Sequence, residues 1–182
     1  MFARKPPAPK APWSVWVLTP DFVIDGYLDP DAHAGSGPFF SPDPAETATA
    51  TLWLDSPRFT PTGPGAGAPP VVNHWLVPFS GNYLAVAPLD EVSLALMRHN
   101  VAGYQHPFAV TLHVGPYAVY GQLLSDFDDV NDLDLLAHRR ILAVQDATIA
   151  HRLPSALFAG WQAPLVMVNG RGVTGIGLTK QA

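Results

Sequence analysis

Proline and glycine are scattered along the whole chain, and this scatter restricts the fold more than any other feature. The 182 residues include 20 prolines and 15 glycines. Proline interrupts the hydrogen bonds of a helix and glycine weakens them, so helices long enough for a bundle are excluded. Apolar residues still make up 48% of the chain, which is enough to build a core. We therefore expect a mainly β fold with short strands and many turns.

Composition also removes several classes of function. The chain has no cysteine, which excludes disulfides, cysteine-bound metals and thiol catalysis. A net charge of −5 disfavours binding to nucleic acid and to anionic membranes. Residues 1–12 are rich in proline and lack the apolar run of a signal peptide. We expect a disordered tail there and a cytoplasmic protein without membrane contact.

Five segments before residue 89 have strand patterns. They combine β-branched and aromatic residues, or alternate apolar with polar residues, and are bounded by turn residues. The predicted strands are 15–18, 22–28, 47–54, 71–77 and 83–87. We expect the first two to form a hairpin, and the last two to pair around the turn-prone triplet 80–82. The segments 29–46 and 60–70 are expected to be loops.

One short helix is predicted in the middle of the chain. Asp90 is a favourable N-cap residue, and apolar residues follow it at positions 92 to 97. Arg98 and His99 stand near the C-terminal end, and Gly103 ends the segment. We expect this helix to connect two β units.

The pattern of the first half returns in the second half. A shift of 95 residues aligns the first two strands and a shift of 90 aligns the later ones. The aligned pairs include Val15/Val110, Phe22/Tyr117, Ile24/Val119, Gly26/Gly121, Leu28/Leu123, Leu52/Leu142, Leu54/Val144, Phe59/Ile149, Leu76/Val166, Tyr83/Val173 and Val86/Ile176. We interpret this as an internal duplication of a small barrel unit. The predicted organisation is a tail at 1–12, a first unit at 13–88, a helical connector at 89–107 and a second unit at 108–182.

Three strings in the second unit resemble the motifs of the Sm-like barrel family. The first resembles a hydrophobic-x-Gly-x-Leu run followed by an aromatic residue, Asp and Asn; the second resembles a Leu-x-Leu-x-Asp-Ala string; the third is a strand that runs into Arg-Gly. In this sequence they are residues 119–131, 142–147 and 166–173. The resemblance implies two small β-barrels in tandem. Sm-like barrels often associate edge to edge, so it also implies an oligomer.

The same resemblance implies a place for RNA or a nucleotide. In RNA-binding members of the family, a base lies between the loop that carries Asn and the loop that carries Arg-Gly. The matching residues here are Asp128, Asn131, Arg171 and Gly172. A stretch inserted at 132–140 separates Asn131 from the next strand, and the first unit carries neither motif. A ring of such chains would keep at most half of its base pockets.

An acidic run offers an alternative, metal-dependent chemistry. Carboxylates close together in sequence are ligands that Ca²⁺ and Mg²⁺ prefer. The candidates are Asp126, Asp128, Asp129 and Asp132, with Asp134 beyond them. The run lacks the central glycine and closing glutamate of an EF-hand, so a solvated loop is the simpler interpretation.

The sequence contains none of the common catalytic motifs that are built on histidine, serine or glycine. The seven histidines have no metalloprotease spacing, and Gly-x-Ser-x-Gly, phosphate-binding and dinucleotide motifs are absent from the sequence. Five tryptophans are more typical of core and protein contacts than of base stacking. We therefore expect a protein that is not an enzyme, needs no cofactor and binds itself or another protein. RNA binding and a metal-dependent enzyme are the alternatives.

Overall fold

The computed structural model describes six stretches of the chain. They are residues 13–28, 51–78, 83–104, 106–126, 141–152 and 160–178. The predicted tail at 1–12, the loop at 29–46 and the insertion at 132–140 lie outside them.

The described residues form ten strands and one α-helix. The strands are β1 (Trp13–Leu18), β2 (Phe22–Leu28), β3 (Thr51–Pro61), β4 (His74–Pro78), β5 (Ala85–Pro88), β6 (His106–Val114), β7 (Tyr117–Ser125), β8 (Ile141–His151), β9 (Trp161–Asn169) and β10 (Val173–Leu178). The helix, α1 (Glu91–Asn100), separates β5 from β6, and a 3-10 turn (Gly170–Gly172) separates β9 from β10. The prediction of a mainly β protein is confirmed.

All ten strands belong to one antiparallel sheet. Its order is β10-β6-β7-β8-β9-β5-β1-β2-β3-β4. Each half of the chain contributes five neighbouring strands, and both halves have the same internal order: fifth, first, second, third, fourth. Among the described strands, no pairing joins the two terminal strands, β4 and β10, so the sheet is not closed. The two halves meet where β5 pairs with β9.

The predicted first hairpin is confirmed, and its turn is held by a threonine. The Thr19 hydroxyl accepts a hydrogen bond from the Phe22 amide at 3.0 Å and donates one to the Phe22 carbonyl at 2.9 Å. The matching turn between β6 and β7 uses Gly115, which has a φ of 53°. Threonine side-chain bonds and a left-handed glycine are two ways to make the same tight reversal.

The predicted pairing of the strands around residues 80–82 is wrong. β4 pairs with β3, whereas β5 pairs with β1 on one side and with β9 on the other. Both edges of β5 are therefore occupied, and none is left for β4. The turn itself, residues 79–82, lies outside the described residues.

The third strand runs further than its sequence predicts. It continues to Pro61 rather than ending at Leu54, while residues 47–50 lie outside the described part. Its pairing with β4 ends at Asp55, yet its pairing with β2 continues to Pro61. Pro57 lies between Asp55 and Arg58, where neither ladder gives it a partner, so its missing amide hydrogen costs no ladder hydrogen bond.

The predicted helix and its cap are confirmed. The Asp90 carboxylate accepts a hydrogen bond from the Ser93 amide at 2.7 Å. The buried Ser93 hydroxyl in turn accepts a bond from the Ser14 amide of β1 at 2.8 Å. Leu94 and Met97 face the core, and α1 packs against strands of both halves, namely β1, β5 and β9. The helix therefore covers the junction between the halves.

Irregularities in the strands also repeat. The pairing of β2 with β3 shifts at Gly26, and that of β7 with β8 shifts at Gly121, which is 95 residues later. Ser56 and Asp146, which are 90 residues apart, both have a φ of 49°. A Cβ at Gly121 would lie 2.7 Å from the Gln145 carbonyl oxygen, so the bulge there requires glycine.

The strand pairing shows which residues of the two halves correspond. We call two residues counterparts when they lie in corresponding strands of the two halves and pair with corresponding residues of the neighbouring strand. β6 and β7 follow β1 and β2 by 95 residues, and β8 and β10 follow β3 and β5 by 90. β9 follows β4 by 91 residues, because Trp53 pairs with Leu76 and Ala143 pairs with Met167. The predicted partner of Leu76, Val166, is therefore wrong by one residue: the counterpart is Met167.

Two hydrophobic clusters form the core, and each contains residues of both halves. The first cluster surrounds β1 to β5 and α1, and the second half adds Ile141, Ala143, Leu165 and Met167 to it. The second cluster surrounds β6 to β9, and the first half adds Leu18, Val23, Leu84, Ala85 and Ala87 to it. Each half therefore completes the core of the other.

Candidate functional site

The internal junction, defined as the contact between β5 and β9, is short, and two hydrogen bonds from Asn169 extend it at one end. Ala85 lies opposite Val168 and Val86 opposite Met167. The Asn169 amide donates to the Leu84 carbonyl at 2.9 Å, and the Asn169 side chain donates to the Tyr83 carbonyl at 3.1 Å. Asn169 is itself buried. One asparagine thus satisfies two carbonyl groups of the segment that enters β5.

Side chains interlock on both sides of this junction. Leu84 inserts against the β6–β7 turn: a Cβ at Gly115 would lie only 2.9 Å from the Leu84 Cδ1 atom. The Tyr117 hydroxyl donates to the Thr19 carbonyl at 3.4 Å. Trp16 and Trp161 meet edge to face, with ring centroids 4.6 Å apart. The first half is therefore seated in the second by shape as well as by the strand pairing.

The sheet ends in two open edges that are unlike each other. On one side β4 pairs only with β3, and on the other β10 pairs only with β6, among the described strands. Leu76 of β4 is 52% exposed and Ile176 of β10 is 37% exposed. Their counterparts at the internal junction, Met167 and Val86, are 2% and 0% exposed. Apolar residues that are buried at the junction thus have apolar counterparts that are exposed at the two open edges.

A cavity of about 350 Å³ lies beside the β4 edge. The β1–β2 turn, Thr19 to Asp21, forms one wall, and the rings of Phe22, Phe59 and Trp75 form another. Phe59 meets Phe22 and Trp75 edge to face, with centroids 5.8 and 5.2 Å away. These contacts hold the rings in place, so the wall is apolar and firm.

The sequence-predicted RNA site is only partly described. Asp128 and Asn131 lie outside the described residues. Arg171 and Gly172 lie on the 3-10 turn, where the Asn169 side chain accepts a hydrogen bond from the Arg171 amide at 3.1 Å. The Arg171 side chain is exposed. Gly172 faces Leu84, since a Cβ there would lie 3.4 Å from the Leu84 Cδ2 atom.

Arg171 also acts electrostatically on the internal junction. Burial raises the pKa of the Tyr83 phenol far above its ordinary value, and the Arg171 charge opposes this shift. Burial likewise raises the pKa of Tyr117, while its hydrogen bond to Thr62 opposes the rise and the charge of Asp21 adds to it. Both phenols are therefore neutral at physiological pH.

The predicted metal candidates are not brought together in the described part of the chain. Asp126 is exposed at the end of β7, whereas Asp128, Asp129 and Asp132 lie outside the described residues. Within the described stretches, no group of three or more His, Asp or Glu residues could hold a metal ion.

Reasoning from the sequence missed the residues that build the junction and the two edges. Leu84, Asn169, Leu76 and Ile176 were not singled out as contact residues. One signal was available: residues 165–168 of β9 are all apolar and all buried, rather than alternating. A continuous apolar run indicates a strand covered on both faces, which is what the first half provides here.

Comparison with known proteins adds no relative: no family model, curated protein or solved structure matches the chain. Separately, none of the helices in the described residues is long and apolar enough to cross a membrane.

Proposed function

We propose that this protein is a non-enzymatic assembly module, built from two Sm-like small barrels in tandem, that associates with copies of itself through its strand edges. The observation that carries the proposal is the match between ends and junction. Leu76 and Ile176 are exposed at the open edges, whereas their counterparts Met167 and Val86 are buried against each other's strands.

The chemistry of an open edge supports this function. A terminal strand presents amide and carbonyl groups that another strand can pair with, and exposed apolar side chains add burial to that pairing. Described positions 173–178 of β10 carry no charged residue. Such an edge lacks the lysines and inward charges with which proteins commonly discourage pairing between chains.

The pairing inside the chain supports one type of assembly. There β5 pairs with β9, and β10 and β4 hold the matching places in the other half, so β10 of one chain would meet β4 of the next. A contact between unlike surfaces is head-to-tail, and it repeats until a ring closes or a filament grows. The shared strand order and the repeated bulges support two similar halves, which would make the ring quasi-symmetric.

Light scattering coupled to size-exclusion chromatography tests the proposal. The chain mass is 19.5 kDa, and we expect a mass that is a multiple of this value at high protein concentration. Ile176→Lys places a charge in the contact and should return the protein to the monomer. Val92→Lys, at an exposed position of α1, is the matched control and should leave the mass unchanged.

A monomer for the parent protein at every concentration would contradict the proposal. So would equal masses for the Ile176→Lys and Val92→Lys variants.

A further inference from the structure

We infer that β10 of one copy pairs antiparallel with β4 of the next in a fixed register, with Ile176 opposite Leu76 and Thr174 entering the cavity beside the β1–β2 turn. The inference rests on the proposed self-association and adds the register, the partner residues and the socket.

The register follows from the internal junction. Val86 and Ile176 are counterparts because they pair with Val17 and Leu112, which are themselves 95 residues apart. Leu76 and Met167 are counterparts through β3 and β8. Val86 lies opposite Met167 at the junction, so the same arrangement places Ile176 opposite Leu76.

The next pair follows in the same way. Ala85 lies opposite Val168, and their counterparts are Gly175 and Val77. Glycine opposite a buried valine places no side chain in the way, because a Cβ at Gly175 would meet only His113 at 3.9 Å or more. The two edges can therefore approach without a steric clash at this pair.

Hydrogen bonding is consistent with this register. In an antiparallel pair, positions that exchange hydrogen bonds alternate with positions that do not. The Asn169 amide bonds the Leu84 carbonyl, so the pair two residues along, Val86 and Met167, is again a bonded position. Ile176 and Leu76, as their counterparts, point their backbone groups outward at the two open edges.

The cavity is placed to receive Thr174, the residue that precedes Gly175 in the chain. At the internal junction Leu84 inserts against Gly115. The counterpart of Gly115 is Pro20, which lines the cavity of about 350 Å³. The counterpart of Leu84 is Thr174, an exposed residue whose hydroxyl donates to the His113 carbonyl at 3.3 Å. Thr174 of one copy would thus enter the cavity of the next copy.

Threonine fills such a socket less well than leucine. Its side chain is smaller and carries a hydroxyl, while one wall of the cavity is formed by the rings of Phe22, Phe59 and Trp75. The outer contact is consequently weaker than the inner one and can be strengthened. This gives a test in which the informative variant gains a property instead of losing one.

The first experiment measures association of the full chain with Thr174→Leu. Added apolar burial in the cavity should lower the midpoint concentration of assembly about tenfold. The control is Thr148→Leu, at an exposed position of the central strand β8, which should shift the midpoint by less than about twofold. Equal midpoints for the two variants would overturn the socket.

The second experiment tests the register by cross-linking. The chain has no cysteine, so Leu76→Cys can be placed in one chain and Ile176→Cys in a second, isotopically labelled chain. A short bis-maleimide should join the mixed pair efficiently. Leu76→Cys mixed with Tyr120→Cys, an exposed position of β7, should give at least about tenfold less product.

The outcomes separate the two proposals. If the parent assembles but the Leu76/Ile176 pair cross-links no better than the control, the register is wrong and self-association stands. If the parent is monomeric at all concentrations, both fail.

Discussion

The internal junction joins β5 to β9, and the two open edges are their counterparts β10 and β4 in the other half. Only the junction is paired within one chain. At the junction β5 and β9 are buried on both faces, and α1 lies over them. At the ends, β4 and β10 have a neighbour on one side only among the described strands. The same type of strand contact is therefore made once inside the chain, between β5 and β9, while the strands that could make it a second time, β10 and β4, are left at the open edges.

Three counterpart positions explain why the outer contact is the weaker one. In each case the junction residue is larger or donates a hydrogen bond that its counterpart cannot. The pairs are Leu84 and Thr174, Trp16 and Thr111, and Asn169 and Pro78. Pro78 has no amide hydrogen and cannot repeat the bond from Asn169 to Leu84. We therefore expect the junction to be permanent and the outer contact to be reversible.

The largest difference between the regions is expected for a buried charge. Val86→Lys places an ammonium group at a fully buried position of the junction, and an unpaired buried charge costs several kcal/mol. The variant should fail to fold or lose about 4 kcal/mol or more of unfolding free energy, measured with urea. Ile176→Lys, its counterpart, should stay within about 0.5 kcal/mol of the parent under monomeric conditions. Similar losses in both variants would contradict the comparison.

Truncating the inserted side chain should have a smaller effect of the same kind. Leu84→Ala removes the group that packs against Gly115 and should cost about 2–4 kcal/mol of unfolding free energy. Thr174→Ala, at the counterpart position, should cost less than about 0.5 kcal/mol in the monomer. Urea denaturation of dilute samples measures both. A cost below 1 kcal/mol for Leu84→Ala would show that the insertion is not part of the junction's stability.

Alkaline pH probes the burial of the junction phenol. The pKa of Tyr83 in the folded protein is raised above its ordinary 10.0. The contribution of this phenol to the free energy of unfolding is therefore fully present below about pH 10, and it is lost as the pH rises above that value. Each such group adds a slope of about 1.4 kcal/mol per pH unit, because the unfolded chain loses a proton that the folded protein keeps. Tyr83→Phe should reduce the slope by one proton, measured by urea unfolding between pH 10 and 11.5. An unchanged slope would mean that the phenol is not buried.

The smallest effect is expected at the turn that resembles an RNA-binding loop. Arg171→Ala should leave assembly unchanged, since the side chain is exposed and the turn is held by the Asn169 side chain. A net charge of −5 predicts no binding of short single-stranded RNA by the parent, measured by fluorescence anisotropy. RNA binding by the parent that Arg171→Ala abolishes would favour the nucleic-acid alternative.

Local features of the fold could be predicted from the sequence because local chemistry decides them. The hairpin at Pro20-Asp21 and the helix after Asp90 depend on turn and cap residues a few positions apart. The recurrence in the two halves could also be seen, because Gly26 and Gly121 mark matching bulges.

Features that depend on distant partners could not be predicted in the same way. Residues 165–168 are apolar and buried on both faces of the strand. They do not alternate with polar residues, so the pattern could not show that Leu76 corresponds to Met167 and not to Val166. The pairing of β5 with β9 rather than β4 depends on a segment some 80 residues away, and turn propensity at 80–82 contains no information about it. Of the predicted RNA site, only Arg171 and Gly172 lie in the described residues, and they adjoin the junction.

Amide hydrogen exchange at the two edges tests the central claim most directly, because it reports on the backbone groups that would pair. The account predicts that the amides of Leu76 and Ile176 exchange rapidly in dilute protein and become protected together as the concentration rises. Amides of the internal junction, such as those of Val86 and Met167, should be protected throughout. Edge amides that exchange at the same fast rate at every concentration would contradict the account.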